Sequence, residues 1–345
     1  FISNSNDLKA RYQGTNNRYS NDTYFDNNKF KVDESIFIRS DSLKKSIFQN
    51  INNLLISIND DKDYSNVLIS EIIIEGWEDH PEGRKLELAA YEAMTIKPGS
   101  IINNQLLQQD LNSIYSTGWF SGAEIRAEDG PLGVKLIVKI VPNPILKKII
   151  ITTDNAIVPS KYVQDTFSNS YGTTLNLNRL QEKMNVIKNW YQDKGYSLAR
   201  INSPERILEN GVVQLKVEEG IVSKVEIRFI GADEEIRKGK TKEWVIRREI
   251  KTSKGVVFNR KILEKDIKRL YATSLFNDVK VSLSPDDLDS SKVVITLDIS
   301  EQRTGSLNGG IGFSNSAGIF AQAGFKESNT FGRAWSTSLN VDFGE

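Results

Sequence analysis

The sequence predicts an α+β chain in which three tandem β-α-α-β-β domains are followed by the first strands of a transmembrane β-barrel. Three observations predict it. Between Val212 and Ile230 the alternation Val213, Leu215, Val217 passes through Glu218-Glu219-Gly220 and resumes at Val225, Ile227 and Phe229, which reads as strand, tight joint, strand. The joint recurs: Leu136, Val138 and Ile140 run through Val141-Pro142-Asn143-Pro144 to Ile149 and Ile151, and Val293, Ile295, Leu297 and Ile299 run into Glu301-Gln302. Ile114-Tyr115, Trp190-Tyr191 and Leu270-Tyr271 keep step with it, each closing a helix-like segment, at a period of domain size that is too long for a solenoid unit.

Taken in order, residues 1 to about 40 are crowded with Asn, Ser, Asp and Tyr and lack periodicity, the signature of a solvated tether. From Ser42 to Ile58 the residues Leu43, Ile47, Ile51, Leu54, Leu55 and Ile58 fall three or four apart, on one face of a helix. That helix either docks on the first repeat, the simpler reading, or binds a partner. Residues 1–66 therefore form a tether with an amphipathic helix, ahead of repeats at 67–144, 145–221 and 222–301 and a barrel start at 302–345.

In the first repeat Ile72 to Ile74 is a strand, Arg84 to Met94 and Asn103 to Thr117 are helices separated by Pro98-Gly99, and Phe120 to Ala127 pairs with Val134 to Val141 across Asp129-Gly130-Pro131. The second runs Leu146 to Thr153, Pro159 to Asn169, Asn176 to Lys194, Tyr196 to Ile201 and Val212 to Val217, with Asn210-Gly211 as its hairpin turn. The third runs Ser223 to Ile230, Lys242 to Ile250, Asn259 to Thr273, Phe276 to Leu283 and Lys292 to Ser300, and its first loop, Gly231 to Thr241, is longer and more charged than its counterparts. Two helices in a hairpin return the chain to its starting end. The first strand must then lie parallel to the third, giving the sheet order first-third-second and leaving the second strand as an edge.

After Glu301 the composition changes. Leu307, Ile311, Ile319, Phe325, Trp335 and Leu339 alternate with small and polar residues in glycine-rich segments of about ten residues, the length of a tilted bilayer-crossing strand, and are expected to face lipid. Three such strands cannot close a barrel, since about eight are needed.

The bulk numbers narrow the function. Lys plus Arg and Asp plus Glu are both 45, so no overall field favours nucleic acid. With no Cys and the single histidine His80, thiolate sites, disulfides and histidine-based metal centres are unsupported, and no cofactor is expected. The chain starts at Phe1 and has no apolar run long enough for a signal peptide or spanning helix, which reads as a processed protein or a fragment.

Several residues invite chemistry that their context discounts. His80 lies in Glu78-Asp79-His80-Pro81-Glu82, a loop of sequence neighbours better read as solvated than as a metal site. Gly239-Lys240-Thr241 would end a phosphate loop, but Glu234 stands where its first glycine is required. Arg237, Lys238, Lys240 and Lys242 form a basic run beside Glu234 and Glu235, read as a solvated loop in preference to a lipid-headgroup contact. Glu218 and Glu219 point to opposite faces of a strand and suit a joint contact better than a catalytic pair; Pro142, Pro144 and Gly220 complete the predicted joints.

Val217-Glu218-Glu219-Gly220 with Val225, Leu270-Tyr271 ahead of Leu275-Phe276, and Asn329-Thr330-Phe331-Gly332-Arg333 together resemble the POTRA domains and early barrel strands of the BamA-type outer-membrane assembly superfamily, over residues 67 to 345. Three repeats and an Asn-rich tether resemble its cyanobacterial and chloroplast-envelope branch; a translocation-and-assembly-module protein also has three. Gly76-Trp77 and Asp154-Asn155 replace the family's Gly-Asn after the first strand. The resemblance implies an outer-membrane protein whose repeats lie in the periplasm or a plastid intermembrane space. It would bind unfolded outer-membrane proteins, with accessory assembly proteins as further partners, and perform no enzymatic step. A soluble periplasmic scaffold of peptide-binding modules and a two-partner-secretion transporter are the alternatives.

An unfolded barrel polypeptide offers alternating side chains and unpaired backbone, so a free sheet edge can take it up as an added strand. Asp278, Val279, Lys280, Val281, Ser282 and Leu283 form the best candidate edge: this stretch contains no Gly or Pro, whereas Gly122 interrupts the first edge and Pro204 follows the second.

Overall fold

The computed structural model describes residues 67–153, 156–202, 204, 207–208, 210–314 and 318–344. The predicted tether and the helix expected at 42–58 lie outside these residues.

In the first repeat β1 (Ile69–Glu75), α1 (Gly83–Ala93), α2 (Asn104–Ser116), β2 (Phe120–Gly130) and β3 (Gly133–Pro142) follow one another, and the sheet order is β1-β3-β2. The second has β4 (Lys148–Ile151), α3 (Ser160–Phe167), α4 (Leu177–Lys194), β5 (Arg200–Asn202) and β6 (Val212–Glu218), in the order β4-β6-β5. In both, the first strand runs parallel to the third and the second antiparallel to it, as helix-hairpin connectivity requires. The third repeat contains β7 (Ile221–Ile230), β8 (Ile236–Arg237), α5 (Glu243–Glu249), α6 (Arg260–Ala272), β9 (Phe276–Pro285) and β10 (Lys292–Glu301), with sheet order β8-β7-β10-β9. Part of the loop expected at Gly231 to Thr241 is thus a strand: Ile236 and Arg237 turn back onto Ile230 and Phe229 and cover the outer side of β7.

Each repeat has its own hydrophobic cluster of helix and strand residues. The long helices begin as the sequence dictates, with Asn103, Asn176 and Asn259 each accepting a backbone N–H of the first turn. They end in a left-handed residue, Gly118, Gly195 or Ser274.

Counted back from that residue, the repeats align differently from the tyrosine landmarks. Ile114, Tyr191 and Leu270 occupy one core position, all at 0% exposure, whereas Tyr115 and Tyr271 sit one residue later and are only part-buried. Tyr191 therefore belongs to the core of its repeat, and the even tyrosine spacing conceals a one-residue offset. Asp110 and Asp266 likewise share a fully buried position that Ile187 fills in the second repeat. The Asp110 carboxylate accepts the N–H groups of Thr95 and Ile96, and that of Asp266 accepts those of Lys251 and Thr252 with the Thr252 hydroxyl, while Arg269 pairs with it. These carboxylates tie the end of one helix to the middle of the next, replacing water around otherwise orphaned donors.

Beyond the repeats, β11 (Gly305–Ser314), β12 (Gly318–Thr330) and β13 (Trp335–Gly344) form an antiparallel sheet in that order. Cross-strand partners Leu307 and Phe325, Phe313 and Ile319, Phe325 and Leu339, and Ala323 and Val341 put one apolar face together. Asn308, Gln322, Lys326, Asn340 and Asp342 share the other face. Leu307 and Ile311 are 84% and 87% exposed, a density of bare aliphatic surface that calls for an apolar surrounding.

Candidate peptide-docking edge

Strand β9 is the outer strand of the third repeat, paired among the described residues with β10 alone. Along it Val279 is buried, Val281 and Leu283 are half-buried against the core, and Lys280 and Ser282 are exposed, as alternation demands. Backbone direction can be worked out from two contacts. The Val279 N–H is bonded by the Tyr271 hydroxyl at 3.0 Å, so it points away from β10; Pro285, which has no N–H, has the same parity. In an antiparallel pair the ladder bonds alternate, so Lys280, Ser282 and Ser284 bond to β10 while Val281 and Leu283 turn both N–H and C=O outward. Among the residues predicted to form the docking edge, Val281 and Leu283 therefore carry the outward-facing N–H groups, and the Val279 N–H is already satisfied.

Tyr271, which closes its helix, also supports this edge. Its hydroxyl also donates to the Asp278 carboxylate at 2.9 Å; burial raises its pKa, and although the bond from Val279 N–H opposes this, the Asp278 bond adds to it and the hydroxyl stays neutral. Tyr115 does the same in the first repeat, bonding the Ala123 N–H of β2 at 2.7 Å. Lys280 pairs across the exposed face with Glu234, an exposed contact that adds little energy.

The competing edges rank as expected in one case only. β5 spans three residues, but β2 is eleven residues long, with a register shift between Phe120 and Gly122. The glycine displaces the pairing at the strand's start and leaves the remainder of the edge regular.

The joints place this edge relative to its neighbours. The Asn176 side chain caps α4 through its oxygen and donates its amide to Thr117 O of the preceding repeat, while Leu177 N–H bonds Gly118 O. Asn259 repeats the arrangement with Lys194 O, and Arg260 N–H with Gly195 O. Gly195 is required here: its φ is +95° and a Cβ would lie 2.6 Å from the Asn259 oxygen. The C-termini of α2 and α4 are thus satisfied by the N-termini of α4 and α6 in the next repeat.

Of the predicted joint residues, Pro144 O accepts Leu175 N–H and Gly220 O accepts Phe258 N–H, while Pro142 pairs with Phe120 at the end of β3. Glu218 pairs with Lys216 and accepts from Asn202 within its own repeat. The expectation for Glu219 needs correcting. It is buried and faces inward, accepting the Ile157 N–H and the Tyr191 hydroxyl, because Tyr191 in the core position needs an acceptor. The first joint instead has a carboxylate from the loop that the sequence predicts to be solvated. Glu82 accepts both the N–H and hydroxyl of Thr174, and although burial raises its pKa, these bonds and Lys85 outweigh it and hold the carboxyl at about 2. His80 Nδ1 accepts the Glu82 N–H, orienting that loop.

The last joint is built on Asn329-Thr330-Phe331-Gly332-Arg333, which connects β12 to β13. Glu301 accepts the N–H groups of Lys240 and Thr241, the Thr241 hydroxyl is bonded by Asn329, and Lys242 N–H donates to Gly332 O. A Cβ on Gly332 would fall 1.9 Å from Lys240 O, so only glycine allows this approach. The rim of the sheet is thereby seated on the third repeat, within the same module as β9. The predicted lipid-facing residues Leu307, Ile311, Ile319, Phe325 and Leu339 lie on the apolar face of that sheet, with Trp335 of matching parity on β13.

Fold and joints define a class: tandem POTRA domains leading directly into strands of an outer-membrane β-barrel. Comparison with known proteins agrees. Residues 146–220 match the POTRA domain, ShlB-type, and residues 226–302 the POTRA family described as surface antigen variable number repeat. The N-terminal domain of Omp85 from Thermosynechococcus elongatus is 36% identical, with a TM-score of 0.63 over 70% of this chain and 100% of that one. POTRA1-3 of Omp85 from Anabaena is 34% identical, with a TM-score of 0.62 over 70% of this chain and 97% of that one. The chloroplastic outer envelope protein 80 of Oryza sativa subsp. japonica is 28% identical over 81% of this chain and 43% of its own length. The chain belongs to the Omp85 family, on its cyanobacterial and chloroplast-envelope branch. It spans less than half the length of that curated relative.

Proposed function

We propose that this chain is the soluble arm and barrel start of an outer-membrane assembly factor, whose third repeat takes up unfolded outer-membrane polypeptide as a strand added to β9 and passes it to the barrel. The observation that carries the reading is the juxtaposition of an edge with outward Val281 and Leu283 backbone groups and a sheet rim seated on the same repeat through Glu301, Thr241 and Asn329. Main-chain bonding demands little sequence specificity, as suits a factor that handles many barrels. The apolar face of β11–β13 supports an outer-membrane position with the repeats in the periplasm or the intermembrane space of a plastid envelope, in keeping with relatives named as outer envelope proteins. No group is assigned a covalent step.

The test is a photoreactive residue placed at Ser282, which is exposed on β9, compared with Ala123 on β2 and Ile201 on β5. Unfolded barrel protein should crosslink at Ser282 most strongly. Equal yields at all three positions, or none at Ser282, would overturn the assignment.

A further inference from the structure

The basic run Arg237, Lys238, Lys240, Lys242 read from sequence as a solvated loop, but its position changes what it can do. Lys242 N–H bonds Gly332 O and Lys240 O abuts Gly332, so the run stands against the turn that joins β12 to β13. This turn is the rim of the apolar sheet, since Thr330 pairs with Trp335 at its base and Phe325 and Leu339 follow on the apolar face. On the membrane reading of β11–β13, Lys240 and Lys242 are therefore held at the depth where acyl chains give way to headgroups.

The surface has the composition of that interface. Phe331 is 78% exposed, Trp335 and Trp244 are about half exposed, and Arg333 and Arg248 lie over the rings of Trp335 and Trp244. Indoles are favoured at the headgroup boundary, where the apolar ring and the polar N–H each find a matching surrounding. The acids around the run are largely committed: Asp233 to Arg237, Glu234 to Lys280, Glu243 to Arg247, and Glu301 to backbone N–H groups. Glu235 remains exposed, and Glu327 faces Lys240 while accepting from Asn329. Lys238, Lys242 and Arg333 form no ion pair with a described residue.

We infer that Lys238, Lys242 and Arg333, with Trp244 beside them, form a binding surface for anionic lipid headgroups, so that the soluble third repeat itself grips the leaflet next to the barrel. The inference rests on the membrane reading of β11–β13. Its consequence is that lipid charge sets the tilt of repeat three, and so the presentation of β9 to the rim.

The experiment uses the intact protein in nanodiscs of phosphatidylcholine alone or with about 30% phosphatidylglycerol, and measures amine acetylation at each lysine by mass spectrometry. Acetylation of Lys238 and Lys242 should slow about fivefold in the anionic discs, with exposed Lys265 on α6 unchanged, and recover in about 0.5 M salt. Equal rates in the two discs would overturn the headgroup surface while leaving the barrel reading intact. Equal protection by inorganic phosphate in neutral discs would overturn it in favour of a free-anion site. Protein that enters neither disc would overturn the membrane reading, and this inference with it.

Discussion

Proline at Val281 and proline at Lys280 should have opposite consequences, although the positions are adjacent. The Val281 N–H faces outward, so Val281→Pro leaves the β9–β10 ladder intact, while Lys280→Pro removes a ladder bond opposite Asp298. A docked strand would exchange two bonds with Val281 and two with Leu283. At about 0.5 to 1.5 kcal/mol net per bond these offset the cost of association only weakly, which makes docking transient. Losing one donor and setting a pyrrolidine ring in the gap should cost about 1 to 2 kcal/mol, a roughly 5- to 30-fold loss in client crosslinking at unchanged fold. Lys280→Pro should instead destabilise the repeat by about 1 to 3 kcal/mol, the cost of a ladder bond lost with the Asp298 carbonyl left unpaired. Val281→Ala separates side chain from backbone, because it keeps the N–H and should keep docking. The assay is the concentration dependence of client crosslinking, with thermal unfolding of the same variants as the measure of fold. Val281→Pro that stays folded and crosslinks like the parent would refute strand addition at this edge.

Other outcomes follow from the buried carboxylates and the apolar face. Asp266→Ala strands the Lys251 and Thr252 N–H groups inside repeat three and should cost about 3 to 5 kcal/mol in denaturant unfolding; a loss under 1 kcal/mol would contradict its role. Glu82 has a folded pKa of about 2, below its ordinary 4.5, so its bonds to Thr174 contribute stability above pH 4.5 that is lost as pH falls toward 2. Spin-label distances between repeats one and two should broaden over that window, and Glu82→Gln should broaden them already at pH 7. Leu339→Lys on the apolar face should impair membrane assembly, costing about 2 to 4 kcal/mol near the midplane, while Asn340→Lys on the opposite face should be tolerated; equal tolerance would reverse the face assignment.

Much of the fold was legible because each level of the sequence repeats the same message. Asn103, Asn176 and Asn259 mark helix starts, and two-residue alternation marks β6, β9 and β10 and the face of the rim sheet. The offset at Tyr191 was not legible, because an aromatic closes the helix in all three repeats and only burial distinguishes a core tyrosine from one that caps an edge. The docking edge was legible to the strand but not to the atom. Sequence alternation gives side-chain faces, whereas the outward N–H groups follow from the Tyr271–Val279 bond and from Pro285. One signal for the buried aspartates was present: Asp110-Leu111 and Asp266-Ile267 precede Ile114-Tyr115 and Leu270-Tyr271 at the same spacing, an acidic residue on an apolar helix face. The Glu82 to Thr174 and Glu301 to Thr241 bonds join distant segments, and no local pattern announces them.

Amide hydrogen exchange at Val281 and Leu283, with and without unfolded barrel polypeptide, tests strand addition most directly. These two N–H groups face outward in the free repeat, whereas those of Lys280 and Ser282 are held by β10. Client should slow exchange at Val281 and Leu283 by about tenfold or more at saturation, leaving Lys280 and Ser282 almost unchanged. Client that crosslinks to the repeat while both outward amides exchange at their free rates would contradict main-chain docking and point to side-chain capture instead.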